Sequence, residues 1–380
     1  DWQIFGLIVF GYLSGYDRLA HFEQLSRDMT VQKLLGLEGP IDENTLAYRL
    51  KKAGYKQSVE LGRATGQLAG RVHPGYEQAG GERKWMDLDS SVKGVYGHQE
   101  GAELGFNPGK KGQPSYHPLL SFEAASKEVL HSWWRPGNTH TGNGAAEFFK
   151  ETCQRLPGPQ GDYVVRADSG FFSDSFLCAI EQAGCDYLVK VKLKNLKQLL
   201  RAQQWEDVPG EPDIEYCNFT HQCGTWEQPR EFVGIRILKE IDTEGLLFPL
   251  YHYEYFCYCT SLEEAPIQIH RLYGDRGECE NWIEAVKNQI GAGTTLTKQF
   301  WANDLLWQLG VLAYNLTIWL RRLTDQRSWR QEPRTFREWF IRCAGKLADH
   351  ARSWTLNMQG SYYWRPRWEK IYRQVCQLQL

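Results

Sequence analysis

Three acidic residues stand where a sheet-and-helix site could gather them: Asp89 on a strand-like run, Asp168 at the end of another, and Glu280 in a helical stretch far downstream. Three carboxylates brought together without cations repel one another and resist joint ionisation. A hard divalent metal such as Mg2+, which takes oxygen ligands in octahedral array, relieves that conflict. Two such ions can activate a water or hydroxyl and stabilise the leaving oxygen of a phosphodiester. Taken alone, each Asp reads first as a structural residue, a turn cap or a solvent-facing acid.

The residues around Glu280 add weight. Tyr273, Arg276, Glu280 and Lys287 follow the spacing Tyr-x2-Arg-x3-Glu-x6-Lys. On one α-helix Arg276, Glu280 and Lys287 share a narrow stripe, because seven and eleven residues are nearly whole turns. A carboxylate flanked by two cations suits a site that holds metal and a phosphate backbone together. A solvated face with ordinary ion pairs is the plainer alternative. Asp275 and Glu278 form an Asp-x-x-Glu pattern expected to cap the start of this helix. That places Tyr273 just outside the first turn and assigns Glu278 to capping.

The elements that must position these groups follow from patterning. Leu13–Leu25 has helical spacing, Asp42–Lys51 reads as a capped helix, and the Gly- and charge-rich stretch Gly75–Glu82 marks a boundary. Lys84–Val92, Tyr116–Glu123 and Glu128–Trp134 read as three strands of an antiparallel meander, with a loop at 107–114. Helix Gly144–Arg155, strand Asp162–Asp168, helix Ser173–Gln182 and strand Asp186–Val191 complete a mixed sheet with helices packed on it. Runs at Ile214–Thr220, Phe232–Leu238 and Leu250–Thr260 form a β-rich insertion, and the chain from Asp275 onward reads as helical. Three regions are expected: a helical one over 1–80, a catalytic domain over 81–320 with its insertion at about 194–270, and a basic helical one over 321–380.

The chain resembles the DDE transposases of bacterial insertion sequences, the cut-and-paste type with a Tyr-Arg-Glu-Lys motif and a group 1 DDE domain. Met86-Asp-Leu-Asp89-Ser-Ser-Val, Val165-Arg-Ala-Asp168-Ser-Gly-Phe-Phe and the Tyr273, Arg276, Glu280, Lys287 set carry the resemblance. Tyr96-Gly-His-Gln-Glu-Gly-Ala and Tyr116-His-Pro-Leu-Leu resemble one branch of that group. The likeness spans roughly residues 5 to 320, and the four-residue motif is more specific than an acidic pair. It implies an α/β, ribonuclease H-like mixed sheet flanked by helices, with the insertion between the second Asp and the Glu. It implies that Asp89, Asp168 and Glu280 hold Mg2+ or Mn2+, two ions, and that Tyr273, Arg276 and Lys287 contact DNA at the transposon end. It implies donor-strand cleavage to a 3′-hydroxyl, then attack of that hydroxyl on target DNA. DNA partners would be the terminal inverted repeats and the target, with a homodimer in the DNA complex.

Composition bounds the rest. With 42% hydrophobic and 24% charged residues the chain is globular. The net charge of −2 confines any nucleic-acid surface to a local patch. Residues 321–373 hold thirteen Lys and Arg against five Asp and Glu, with Trp329, Trp339, Trp354, Trp364 and Trp368 interleaved, which suits either phosphate contact or a solvated face over core tryptophans. Lys190, Lys192 and Lys194 share one strand face and could line a DNA groove or protect a sheet edge. Cys217, His221, Cys223, Cys257 and Cys259 raise a zinc question, although their spacings miss the usual patterns. Trp226 could stack on a displaced base or simply pack.

Ile4–Phe10 is too short to span a bilayer and lacks a basic lead, and ten scattered cysteines read as reduced thiols. A cytoplasmic protein is therefore expected, and the resemblance implies that it is nucleoid-associated when on DNA. Residue 1 is Asp and residues 1–20 read as mid-domain sequence, so a natural N-terminus is expected upstream, with part of the repeat-binding region. Two other readings stay open: a domesticated, inactive DNA-binding protein of the same fold, and a two-carboxylate glycosidase.

Overall fold

The structure is a computed structural model that describes residues 2–73, 83–105, 107, 109–224, 226–241, 250–323, 332–350 and 353–378. The expected boundary at Gly75–Glu82 and Trp329 lie outside the described residues.

Five helices open the chain: α1 (Trp2–Leu13), α2 (Leu19–Ser26), α3 (Met29–Leu35), α4 (Glu43–Leu50) and α5 (Tyr55–Val72). The helix expected over Leu13–Leu25 is instead the junction of α1 and α2. Gly15 there has φ +81°, a left-handed conformation that ends α1. Asp42 caps α4 as expected, accepting from the amide of Thr45.

The strands β1 (Lys84–Ser90), β2 (Lys93–Gly94), β3 (Ser115–Tyr116), β4 (Leu119–Glu123) and β5 (Glu128–Trp133) follow. Then come α6 (Ala145–Cys153), β6 (Tyr163–Ala167), α7 (Asp174–Gln182), β7 (Asp186–Lys190) and α8 (Leu196–Arg201). Four more strands are β8 (Glu206–Val208), β9 (Glu211–His221), β10 (Arg230–Ile241) and β11 (Leu250–Thr260). The chain continues through α9 (Pro266–Gly274), α10 (Glu278–Glu284), α11 (Phe300–Arg322) and α12 (Pro333–Phe336), then β12 (Gly345–His350), β13 (Ser353–Met358) and α13 (Arg365–Gln377).

One nine-stranded sheet runs β5-β4-β1-β6-β7-β11-β10-β9-β8. β4 and β5 form the antiparallel meander with β1, whereas β1, β6 and β7 are parallel, the arrangement of a ribonuclease H-like mixed sheet. The β-rich insertion extends this sheet, because β11 pairs antiparallel with β7. β7 is thus an interior strand, so Lys190 protects no edge; its ammonium lies 5.9 Å from the ring of Phe256.

Alternation along β1 sorts its side chains between layers. Met86 and Leu88 join the core beneath α6 and α7. Asp87 and Asp89 therefore face the other side, where α9 and α10 run. On that side α11 packs with α1 and with β4 and β5. α11 also closes the outer edge of β5. Asn315 accepts from the amide of Val129 at 3.0 Å and donates to its carbonyl at 2.8 Å, while Gln308 donates to the carbonyl of Ser132 at 3.1 Å. Side-chain amides thus replace a neighbouring strand and keep the edge from pairing with another chain.

The helical reading of the C-terminal region is interrupted by the hairpin β12–β13, whose strands, among the described residues, pair only with each other. Its two strands are only six residues each, too short for their alternation to stand out. Some of the basic residues here are structural: buried Arg337 donates to the carbonyls of Leu13 and Gln289. Trp339 and Trp364 stack at 3.9 Å. Among the described residues no helix is long and apolar enough to cross a membrane.

A buried acid joins α5 to α11. Asp304 accepts from the Ser58 hydroxyl at 2.7 Å, and burial pushes its carboxyl up to about 6. Between the ordinary value near 4 and about 6 the unfolded chain binds fewer protons than the native one, so stability falls as pH rises across that window and is level above it. Asp304→Asn is expected to leave the thermal midpoint near pH 4 almost unchanged. At pH 8 it should stabilise the fold by up to about 3 kcal/mol. Thermal melts at both pH values check this.

Candidate active site

The parallel register pairs Leu88 with Ala167, so Asp89 and Asp168 are the next residues along on neighbouring strands. Asp89 is buried, its Oδ1 accepting from the Ser90 amide at 2.8 Å. Asp168 is half-buried and accepts from the Gly170 amide at 2.9 Å, a turn that holds its carboxylate at the strand end. Burial pushes the Asp89 carboxyl up to about 6; Arg276 opposes the rise, while Asp168 and Glu280 add to it. Three acids separated by more than 190 residues therefore share one electrostatic field.

The helix that brings Glu280 differs from the expected one. The helical run begins at Pro266, in the first turn of α9, and stays right-handed through Asp275 and Gly277. A short 3-10 turn, Asp275–Gly277, then leads into α10. The Asp275/Glu278 capping box is therefore absent: α10 needs no N-cap because a helix already precedes it, and no side chain caps its start. Tyr273 sits in the last turn of α9, packed 4.8 Å from Tyr258, and burial pushes its phenol up to about 12.

Arg276 is buried and reaches across to the sheet. Its Nη2 lies 2.8 Å from Asp89 Oδ1 and 3.4 Å from the carbonyl oxygen of Leu88. Its Nε is buried with no hydrogen-bond partner among the described residues. Glu280 is exposed. Beyond it the helix widens into a π turn, Ala285–Gln289, which breaks the expected stripe and re-aims Lys287. Lys287 Nζ donates to Ser91 Oγ at 2.8 Å and to the carbonyl of Val92 at 2.9 Å, tying this helix to the loop after β1. Arg276 and Asp89 are thus in contact, Asp168 and Glu280 are near enough to act on Asp89, and Lys287 is engaged elsewhere.

Below this cluster lies a pair that the motif did not include. Asp87, fully buried, takes two hydrogen bonds from Arg166, at 2.6 and 2.8 Å. The register puts Asp87 and Arg166 side by side on β1 and β6. Arg166 also donates to the carbonyl of Leu272 at 2.6 Å and lies over the ring of Trp85. One guanidinium thus fastens the end of α9, and with it the helix bearing Arg276 and Glu280, to the sheet. The Asp-x-Asp alternation on one strand face was the sequence signal for it. The loop before α6 also meets the site, where the Thr141 and Ser90 hydroxyls are 3.0 Å apart.

Three oxygen-donor carboxylates with one shared field fit a hard divalent cation. Among the described residues no three acidic, His or Cys side chains stand close enough to form a ready metal cage. Arg276 already neutralises Asp89 and Glu280 is exposed; Asp89, Asp168 and Glu280 would be the residues to hold such an ion.

The remaining sequence candidates lie apart from this cluster. Cys217, Cys223, Cys257 and Cys259 are buried in the core under α6 and α7, and burial raises Cys217 to about 11, which works against thiolate ligation of zinc. Trp226 packs 4.9 Å from Phe172 and beneath the guanidinium of Arg230.

Among solved structures, a piggyBac transposase synaptic complex with hairpin DNA aligns with 89% of this chain and 69% of its own, at 12% identity and a TM-score of 0.48. A comparison with curated proteins finds no match. The family model described as "Transposase DDE domain group 1" matches residues 2–380. With Asp89 and Asp168 at adjacent strand ends and that match covering the described chain, this protein belongs to the group 1 DDE-domain transposases.

Proposed function

We propose that this chain cleaves DNA at the ends of a bacterial insertion sequence and joins the freed 3′-hydroxyl to target DNA, with Asp89, Asp168 and Glu280 as its catalytic carboxylates. The observation that carries the reading is the placement of Asp89 and Asp168 at the ends of adjacent parallel strands, with the helix of Glu280 docked over them through Arg276. Bound there, two Mg2+ or Mn2+ ions would polarise the scissile phosphate and ease deprotonation of the attacking water or hydroxyl.

The chain's own groups do the positioning. Asp89 and Asp168 are held by backbone amides, so their oxygens are oriented before substrate arrives. Arg276 is the cation nearest to Asp89. When a phosphate of the transposon end enters, the guanidinium can exchange Asp89 for that phosphate, freeing the carboxylate as DNA docks. Tyr273, stacked on Tyr258, borders the same field, and Lys287 holds the loop after β1 against the helix. Because two transposon ends must be processed together, a homodimer on DNA supplies the second site.

The direct test is cleavage of a labelled duplex carrying the element's own end, with and without Mg2+, by this chain and by Glu280→Ala. Metal-dependent nicking that disappears in the variant supports the reading. Binding without cleavage in any metal, also by an N-terminally extended chain, would instead make this a DNA-binding protein that has lost its chemistry. Arg276→Ala is expected to weaken duplex binding and to lower the slope of log affinity against log salt by about 0.9, the share of one phosphate contact. Fluorescence anisotropy across a salt series measures both; an unchanged slope removes Arg276 from the DNA contacts.

A further inference from the structure

A groove of about 780 Å³ opens along the β5 edge of the sheet, two strands from β1, between α5, α6 and α11. Its charges do not cancel. Glu151 is occupied by His131 and by the Trp133 indole, each at 2.9 Å. Asp304 is occupied by Ser58 and Gln308. Arg63 and Arg155 also line it: among the described residues neither makes an ion pair or a hydrogen bond, although the Glu151 carboxylate is near enough to act on Arg155. Arg155 is half-buried nonetheless. Its guanidinium lies along α5 where Gly62 leaves it room, since a Cβ there would come within 3.1 Å of Nη1. Glu151 offsets part of the charge on Arg155, and exposed Arg63 has no counter-ion among the described residues, which leaves the groove open to a phosphate.

The rest of the wall is suited to a base. Tyr55 and Trp301, 61% and 37% exposed, meet edge to face at 5.2 Å and present ring surface to the groove. His131 also lines it. Cation pairs beside exposed aromatic rings are the usual means of holding single-stranded nucleic acid.

We propose that this groove binds a single-stranded segment of DNA, with neighbouring backbone phosphates on Arg63 and Arg155 and a base against Trp301 and Tyr55. The inference rests on DNA being the substrate, and it assigns the groove a strand held apart from the carboxylate cluster. The test is anisotropy of a labelled 15-nucleotide single strand with the full chain in EDTA, so that no cleavage intervenes. For Arg63→Gln with Arg155→Gln, affinity should fall by at least about tenfold, and the salt slope by about 1.4, two single-strand phosphate contacts. Trp301→Leu should weaken binding by about tenfold with the slope unchanged. Duplex nicking at the carboxylate cluster should stay within about twofold in all of these variants.

An unchanged salt slope in the double variant overturns the proposal. So does displacement of the strand by millimolar inorganic phosphate with no effect of Trp301→Leu, which would mark a plain phosphate site. If the Arg155 variant fails to fold, exposed Arg63→Gln alone must still lower the slope by about 0.7. A chain that nicks duplex but ignores the single strand refutes the groove and keeps the catalytic reading; one that binds the strand through these arginines and never nicks does the reverse.

Discussion

Alanine at Asp89, Asp168 or Glu280 is expected to lower metal-dependent strand cleavage by on the order of a thousandfold or more, because charge stabilisation by the ions is the main contribution to phosphoryl transfer. The three variants should differ in DNA binding, and that difference is the sharper test. Glu280 is exposed, so Glu280→Ala should bind duplex as the parent does. Asp89→Ala deletes the partner of a buried guanidinium, leaving Arg276 free for a phosphate. Its duplex affinity should be equal or higher while its cleavage is lost. Parallel cleavage and anisotropy measurements decide it. Full cleavage by any one of the three would remove that residue from the catalytic set, and a marked loss of affinity in Asp89→Ala would show that Arg276 does not exchange between carboxylate and phosphate.

The second large effect concerns Asp87 and Arg166. Removing one member of a buried ion pair leaves an uncompensated charge, at a cost of about 3–5 kcal/mol. Asp87→Ala should therefore lower the thermal midpoint strongly, since the carboxylate left beside Arg166, that of Asp275, is exposed and 3.9 Å away. The double variant Asp87→Leu, Arg166→Met buries no charge and should recover most of that stability. Cleavage should not recover with it. Arg166 also holds the carbonyl of Leu272, and without that bond the helix carrying Arg276 and Glu280 loses its anchor on the sheet. Calorimetry and nicking assays on the three proteins separate these effects. Recovery of both in the double variant would mean that the pair stabilises the fold without positioning the site.

Much of the sheet was legible in the chain. The alternation in Lys84–Val92 and the apolar runs ending at Asp168 and Val191 marked strands to within about two residues of β1, β6 and β7. The spacing of Tyr273, Arg276, Glu280 and Lys287 located the helical segment opposite Asp89. The same spacing misjudged how that segment is built. Capping and stripe arguments assume one regular α-helix, whereas here the run starts nine residues earlier at Pro266 and changes from α to 3-10, back to α and then to π. Packing against the sheet overrides local preference in this way, and Lys287 consequently binds the loop after β1.

By itself the sequence determined which residues carry charge and which alternate. It thereby determined that Asp87 and Asp89 leave β1 on the same face and that Asp168 ends a strand, because side-chain period in a strand is a local property of the backbone. Only the tertiary structure decided which strands are neighbours and in what register, that the insertion extends the main sheet, and that Arg276 rests on Asp89. It also decided that Arg166 lies beside Asp87 and that Arg63 and Arg155 share a groove. Those pairings join residues from about eighty to nearly two hundred positions apart. They arise from burying the two faces of one sheet, an energy that no short stretch of the chain contains.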